Sequence, residues 1–184
     1  NVMVATKQFA NLMKAAIEEG IDLIVAGAGF SRDMFVIGKE SGTPIVPIVS
    51  SVKLAKISET LGASAVVVEG KEAGGHLGTD KSVRQLIPDI KKSVKIPVIA
   101  AGGIINGKDI VEVFKLGADG VQMGTRFATS EESNAAPALK EFYLKAKPED
   151  IVLIKSPVGL PGRAVKNPFA EKIIEGAAPI PESC

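Results

Sequence analysis

The chain has 184 residues, enough for one domain with a substantial core, and 46% of them are hydrophobic but only 4% aromatic, so Ala, Val, Ile and Leu must build that core. A formal net charge of +1 gives no electrostatic case for nucleic acid or an anionic membrane. A single cysteine excludes an internal disulfide or a cysteine zinc cluster, no apolar run spans a bilayer and no signal peptide opens the chain, so a cytoplasmic setting is expected.

The elements alternate. Asn1 to Ala5 reads as the end of a strand, and Lys7 to Glu19 as a helix with Phe9, Leu12, Met13, Ala16 and Ile17 on one face. Gly20 stops it, Ile21 to Ala26 is a strand, and Arg32 to Ser41 a short helix. Ile45 to Val49 is a strand, Ser50-Ser51 can cap a helix over Val52 to Leu61, and Ala65 to Glu69 is a strand. A helix over Ser82 to Ser93, with a kink or break expected at Pro88, leads to a strand over Ile96 to Ala101. A helix over Lys108 to Leu116 leads to a strand over Asp119 to Met123. Three segments, Glu19-Gly20-Ile21-Asp22, Leu61-Gly62-Ala63-Ser64 and Leu116-Gly117-Ala118-Asp119, repeat the step from helix end to buried strand. The rhythm implies parallel βαβ units.

After Phe127 it breaks. Asn134 to Lys145 reads as a helix and Ile151 to Lys155 as a strand. Ser156 to Arg163 is too rich in Pro and Gly for either element and is expected to be an ordered loop or arm. The tail from Gly176 has no core pattern. The chain therefore divides into residues 1–130, the barrel portion, and 131–184, a helix with an extension.

Two architectures compete. A doubly wound sheet would carry a dinucleotide fingerprint, but Gly27-Ala28-Gly29 does not complete G-x-G-x-x-G. A (β/α)₈ TIM barrel places chemistry at strand ends and phosphate on the loops after its last two strands, where Gly102-Gly103 and Gly124-Thr125 stand. About six strands are counted where eight are needed, so an incomplete barrel lacking its first strands is expected.

The chemistry centres on Val66 to Gly78, a β-branched strand running into a glycine-rich loop that holds the only histidine, His76. An imidazole near its own pKa serves as a general base. An isolated histidine more often just hydrogen-bonds a loop, but a strand end beside Gly74 and Gly75 favours function. Glu69 ends the strand and can face the barrel mouth; Glu72 suits holding the loop. Gly102, Gly103, Met123, Gly124 and the Thr125 hydroxyl can donate to an anion, with the following helix N-termini adding partial positive charge. Two tight turns without a ligand are the plainer reading of each alone. Arg126 fits the phosphate loop or a rim ion pair, and Arg163 and Lys166 have no assignment.

Glu72-Ala73-Gly74-Gly75-His76, Ala100 to Ile104 and Gly120 to Phe127 together resemble the nitronate monooxygenase family, once called 2-nitropropane dioxygenases, and its close relatives the flavin-dependent enoyl-acyl-carrier-protein reductases. The resemblance implies a TIM barrel with FMN at its mouth. It implies flavin or phosphate contacts at Asn1, Gly74, Gly103, Gln122, Met123, Gly124 and Thr125, and catalysis by His76. Glu69 stands where many members carry a flavin-contacting glutamine. Leu77 stands where many nitronate monooxygenases carry arginine and the reductases an aliphatic residue.

The first expected function is oxidation of alkyl nitronates by O₂ to a carbonyl compound and nitrite. The second is NAD(P)H-dependent reduction of an enoyl thioester. The third is a non-catalytic barrel fragment. A small-molecule substrate and a homodimer complete the expectations.

Overall fold

The structure is a computed structural model describing residues 1–156 and 160–179. Six parallel strands form one sheet: β1 (Val2–Met3), β2 (Ile24–Gly27), β3 (Ile45–Val49), β4 (Val66–Glu69), β6 (Val98–Ala101) and β7 (Gly120–Gln122), in the order β1-β2-β3-β4-β6-β7. Helices α1 (Phe9–Glu18), α2 (Asp33–Ser41), α3 (Val52–Thr60), α4 (Val83–Lys91) and α5 (Gly107–Lys115) connect them. The sheet ends at β1 and β7, so the described strands form an open arc of a (β/α)₈ barrel. The parallel sheet and the unclosed barrel both match expectation.

Strand alternation assigns two faces. Val49, Val66, Val68, Val98 and Ala100 pack outward against Ala55, Val83, Leu86, Ile87, Ile90 and Val113 of the helices. Val46, Ala65, Val67 and Ala101 form the inner layer with Val25, Ile48 and Ile99. Burial on both faces is why β4 reads as an unbroken valine run, each side chain contributing about 1.5–3 kcal/mol. A second outer cluster joins Phe9 and Met13 of α1 to Met34 and Phe35 of α2.

Helix ends follow the sequence signals. Ser51 Oγ accepts from Leu54 N at 3.3 Å. Ser82 and Gln85 form a capping box at α4, and Asn106 and Asp109 another at α5. Pro88 lies inside α4 without ending it, and the turn closes behind it through Lys92 N to Pro88 O at 3.2 Å.

Beyond β7 come α6 (Thr125–Ala128), α7 (Pro137–Lys145), a 3₁₀ turn (Pro148–Asp150), β8 (Ile151–Lys155), β9 (Pro161–Val165) and α8 (Pro168–Ile174). Here the expected irregular arm is corrected. Residues 157–159 lie outside the described residues, but Pro161–Val165 is a strand, paired antiparallel with β8 from Ile151↔Val165 to Lys155↔Pro161. Proline is accommodated because it occupies the first strand position. Gly162 lets the strands approach closely, since a Cβ there would stand 3.3 Å from Gly75 O, tighter than an ordinary contact. The other side of β9 pairs with a two-residue strand in the histidine loop, β5 (Gly75–His76). Helices α6 and α8, the latter capped by Asn167, were not foreseen; each is short, and four to seven residues carry too little periodicity to register. The tail from Gly176 is described only to Pro179, so most of it falls outside the described residues.

Candidate functional site

The site assembles where β4, β6 and β7 end. The loop after β4 is pinned at its start by Gly70 N donating to Ala101 O at 3.2 Å, and Ala73 N donates to Gly70 O at 3.1 Å. Glu72 turns back to the start of α4, where its Oε2 accepts from Val83 N at 3.1 Å. Partial burial would raise the Glu72 carboxyl pKa, but hydrogen bonds from Ser82 and the Val83 amide, with Arg84 nearby, outweigh it and hold the pKa below the usual range. Glu72 therefore holds the loop, as its position suggested. Arg84 extends the brace to α5, reaching Asp109 Oδ1 at 3.1 Å and Glu112 Oε2 at 2.8 Å.

The histidine loop rests directly on the glycine turn after β6. A Cβ on Gly102 would lie 2.9 Å from Ala73 N, and one on Gly103 2.8 Å from Glu72 Cβ. Both residues also hold left-handed backbone, φ 95° and 67°. These two glycines are thus demanded by packing and backbone, whatever they bind. The loop reaches the β7 end as well: a Cβ on Gly74 would meet Thr125 Oγ1 at 4.0 Å. Gly124 differs, with φ −102° and open space around it. Among the described residues, the backbone N–H groups of Gly102, Gly103, Met123 and Gly124 donate to no protein acceptor.

Inner-face positions follow from register. Val67 belongs to the inner layer, so Glu69, two residues on, shares its face at the strand's end and lies beside Ala101. Ala101 also pairs with Gln122, which extends the same rim to β7. Val2 packs into the outer cluster, so Asn1 falls on the inner side of β1. Burial alone pushes the Glu69 carboxyl up to about 7.

His76 is half-buried, and its backbone is held in the small antiparallel sheet opposite Gly162. Leu77 N donates to Pro161 O at 2.8 Å. The imidazole Nε2 lies 3.0 Å from Ser156 Oγ. Arg163 donates through one guanidinium nitrogen to the carbonyl of Glu72 and, at 3.4 Å, to that of Ala73. The expected residues of β4, β6 and β7 therefore lie on adjacent strand ends, whereas Asn1 precedes β1, four strands away from β6 in the sheet. Ser156, Arg163 and Arg84 were not foreseen. Their partners lie 80, 91 and 25 positions away, a separation no local pattern encodes.

The nitronate monooxygenase family model matches residues 1–182. A protein named probable nitronate monooxygenase from Staphylococcus saprophyticus is 32% identical over 98% of this chain and 54% of its own length. One of the same name from Staphylococcus aureus is 37% identical over 78% of this chain and 43% of its own. Among solved structures, FabK from Thermotoga maritima superposes with a TM-score of 0.90 at 42% identity, covering 95% of this chain and 56% of FabK. Nitroalkane oxidase from Streptomyces ansochromogenes gives 0.76 at 28%, covering 91% and 51%. The chain thus spans about half the length of the curated relatives it matches. With a family match across nearly every residue, on a barrel arc where the loop that carries the histidine packs on the glycine turn after β6, the chain belongs to the nitronate monooxygenase family.

Proposed function

We propose that the chain supplies the flavin-holding rim and the proton-transferring histidine of an FMN-dependent oxidoreductase that oxidises alkyl nitronates with O₂. The observation that carries this is the meeting of the His76 loop with the Gly102-Gly103 and Gly124-Thr125 turns. The residues fit a phosphorylated flavin: among the described residues, four amides that donate to no protein acceptor stand at two adjacent strand ends, and Gly124 leaves room for an anion to touch the backbone. Gly102, Gly103, Gln122, Met123, Gly124 and Thr125 would hold the phosphate side. Asn1, Glu69 and Gly74 would border the ring or ribityl chain. Bound flavin would take electrons from the substrate and pass them to O₂. Glu69, neutral below about 7, offers an O–H donor on the inner face where a carboxylate could only accept. His76 exchanges a proton with the substrate. Residues 1–130 carry this rim, and 131–184 form the extension that fastens the histidine loop.

A second reading, NAD(P)H-dependent reduction of an enoyl thioester, is favoured by two observations. Identity to FabK is 42% against 28% for nitroalkane oxidase, and position 77 is a buried leucine. Flavin-loaded protein given a nitronate with O₂, and an enoyl thioester with NADH, decides between them. Oxygen uptake with nitrite release supports the first reading, and NADH consumption dependent on the thioester supports the second. Protein that retains no flavin and turns over neither substrate leaves the fold as a scaffold.

A further inference from the structure

We propose that Ser156 is the positioning residue of His76, accepting its Nε2 proton and leaving Nδ1 as the nitrogen that exchanges protons with substrate. This rests on the functional reading above for the direction of the bond and for what Nδ1 does; the 3.0 Å contact between the two side chains stands on the hairpin itself.

The same hairpin grips His76 twice. Strand β9 pairs with its backbone, His76 opposite Gly162, while the end of β8 presents Ser156 to the tip of its ring. Ser156 is only 8% exposed, and its own backbone is fixed, its N–H donating to Leu160 O at 2.9 Å. A buried hydroxyl 3.0 Å from Nε2 therefore has little freedom to move away.

The direction follows from the chemistry of the two groups. A neutral imidazole has one N–H and one lone pair, and the hydrogen bond at one nitrogen decides what the other can do. If the hydroxyl donated to Nε2, Nδ1 would carry the proton and could accept none from substrate. On protonation of the ring, both nitrogens would become donors and the hydroxyl would have to turn round. With Nε2–H donating to Oγ, the same bond serves the neutral and the charged ring unchanged. The lone pair on Nδ1 takes a C–H proton, and the C–H electron pair stays on the substrate as the nitronate.

A single histidine makes this directly readable. Nitrogen NMR of histidine-labelled protein reports which nitrogen carries the proton in the neutral ring, and His76→Asn, which removes the signals, confirms their origin. Wild type is expected to carry the proton on Nε2. Ser156→Ala should populate both tautomers and lower kcat on neutral nitroalkane by about tenfold or more, with KM changed less than about twofold. Ser156→Thr, which keeps the hydroxyl, should restore the Nε2–H form. A wild-type proton on Nδ1, or a Ser156→Ala variant with unchanged tautomer and kcat, overturns the proposal. Should Ser156→Ala fail to fold, the wild-type spectrum still decides the direction of the bond. If the tautomer responds to Ser156→Ala while neither nitroalkane nor enoyl thioester is turned over, the positioning role stands and the functional reading falls.

Discussion

The guanidinium of Arg163 donates to the backbone carbonyl of Glu72, 91 residues earlier in the chain. Glu72 meanwhile uses its carboxylate on Val83 N, so one residue ties the histidine loop to a helix and to a hairpin at once. Replacing Arg163 by Ala removes a charged donor from two carbonyls, at a cost of about 1.5–3 kcal/mol to local closure. Amide exchange at Gly75 and His76 should then quicken by about tenfold or more, with exchange in β4 unchanged. Equal exchange at Gly75 and His76 in both proteins would show that strand pairing alone holds the loop.

Gly124 is the clean probe of the proposed phosphate site. Its backbone is ordinary and its surroundings open, so Gly124→Glu should fold with an unchanged melting temperature yet lose flavin through steric block and charge repulsion. Gly103→Glu tests nothing separately, because left-handed backbone and the 2.8 Å approach to Glu72 would unfold the turn first. A yellow, fully loaded Gly124→Glu protein contradicts the phosphate assignment.

Glu69 predicts a pH dependence of stability. Its proton is held to about 7 in the folded chain and released near the ordinary 4.5 when unfolded. Between those values the folded state binds more protons, so this group's contribution is fully present below about 4.5 and lost as pH rises through 7. Glu69→Gln should flatten that fall, gaining on wild type in melting temperature at pH 8 but not at pH 4.5. Parallel pH profiles for the two proteins would mean that the carboxyl is not desolvated.

His76→Asn separates two steps. A neutral nitroalkane must lose a proton before oxidation, whereas a nitronate has already lost it. At equal flavin occupancy, turnover of the nitroalkane should fall by roughly a hundredfold or more and turnover of preformed nitronate by much less. Equal losses on both substrates would make His76 an electrostatic or orienting group.

Much of this was legible in the sequence because it is local or periodic. The Val66–Val68 run, the glycine stops and the capping serines mark elements within a few residues, and six strands could be placed to within about three positions, β2 starting at Ile24 where Ile21 was expected. Pro88 misled only mildly: a proline was expected to disturb a helix that in fact continues through it. Of the hairpin only the first strand, Ile151–Lys155, was legible. In the second, Pro161 and Gly162 carry ordinary turn signals, which the pairing with Gly75 and His76 overrides from far along the chain. His76 was visible as a candidate, whereas its partner Ser156 had nothing nearby to mark it.

That separation also dictates an order of assembly. The barrel arc is built from neighbours in sequence, α/β steps that close small loops and form early, whereas bringing Ser156 to His76 requires closing a loop of 80 residues, and docking β9 against β5 a slightly longer one. During synthesis the histidine loop emerges long before the strand that orders it. A chain arrested ahead of Ser156 would carry every glycine of the proposed flavin rim but not the hairpin that holds His76. Refolding should accordingly show cofactor capture preceding recovery of turnover, the lag being the docking time of the hairpin.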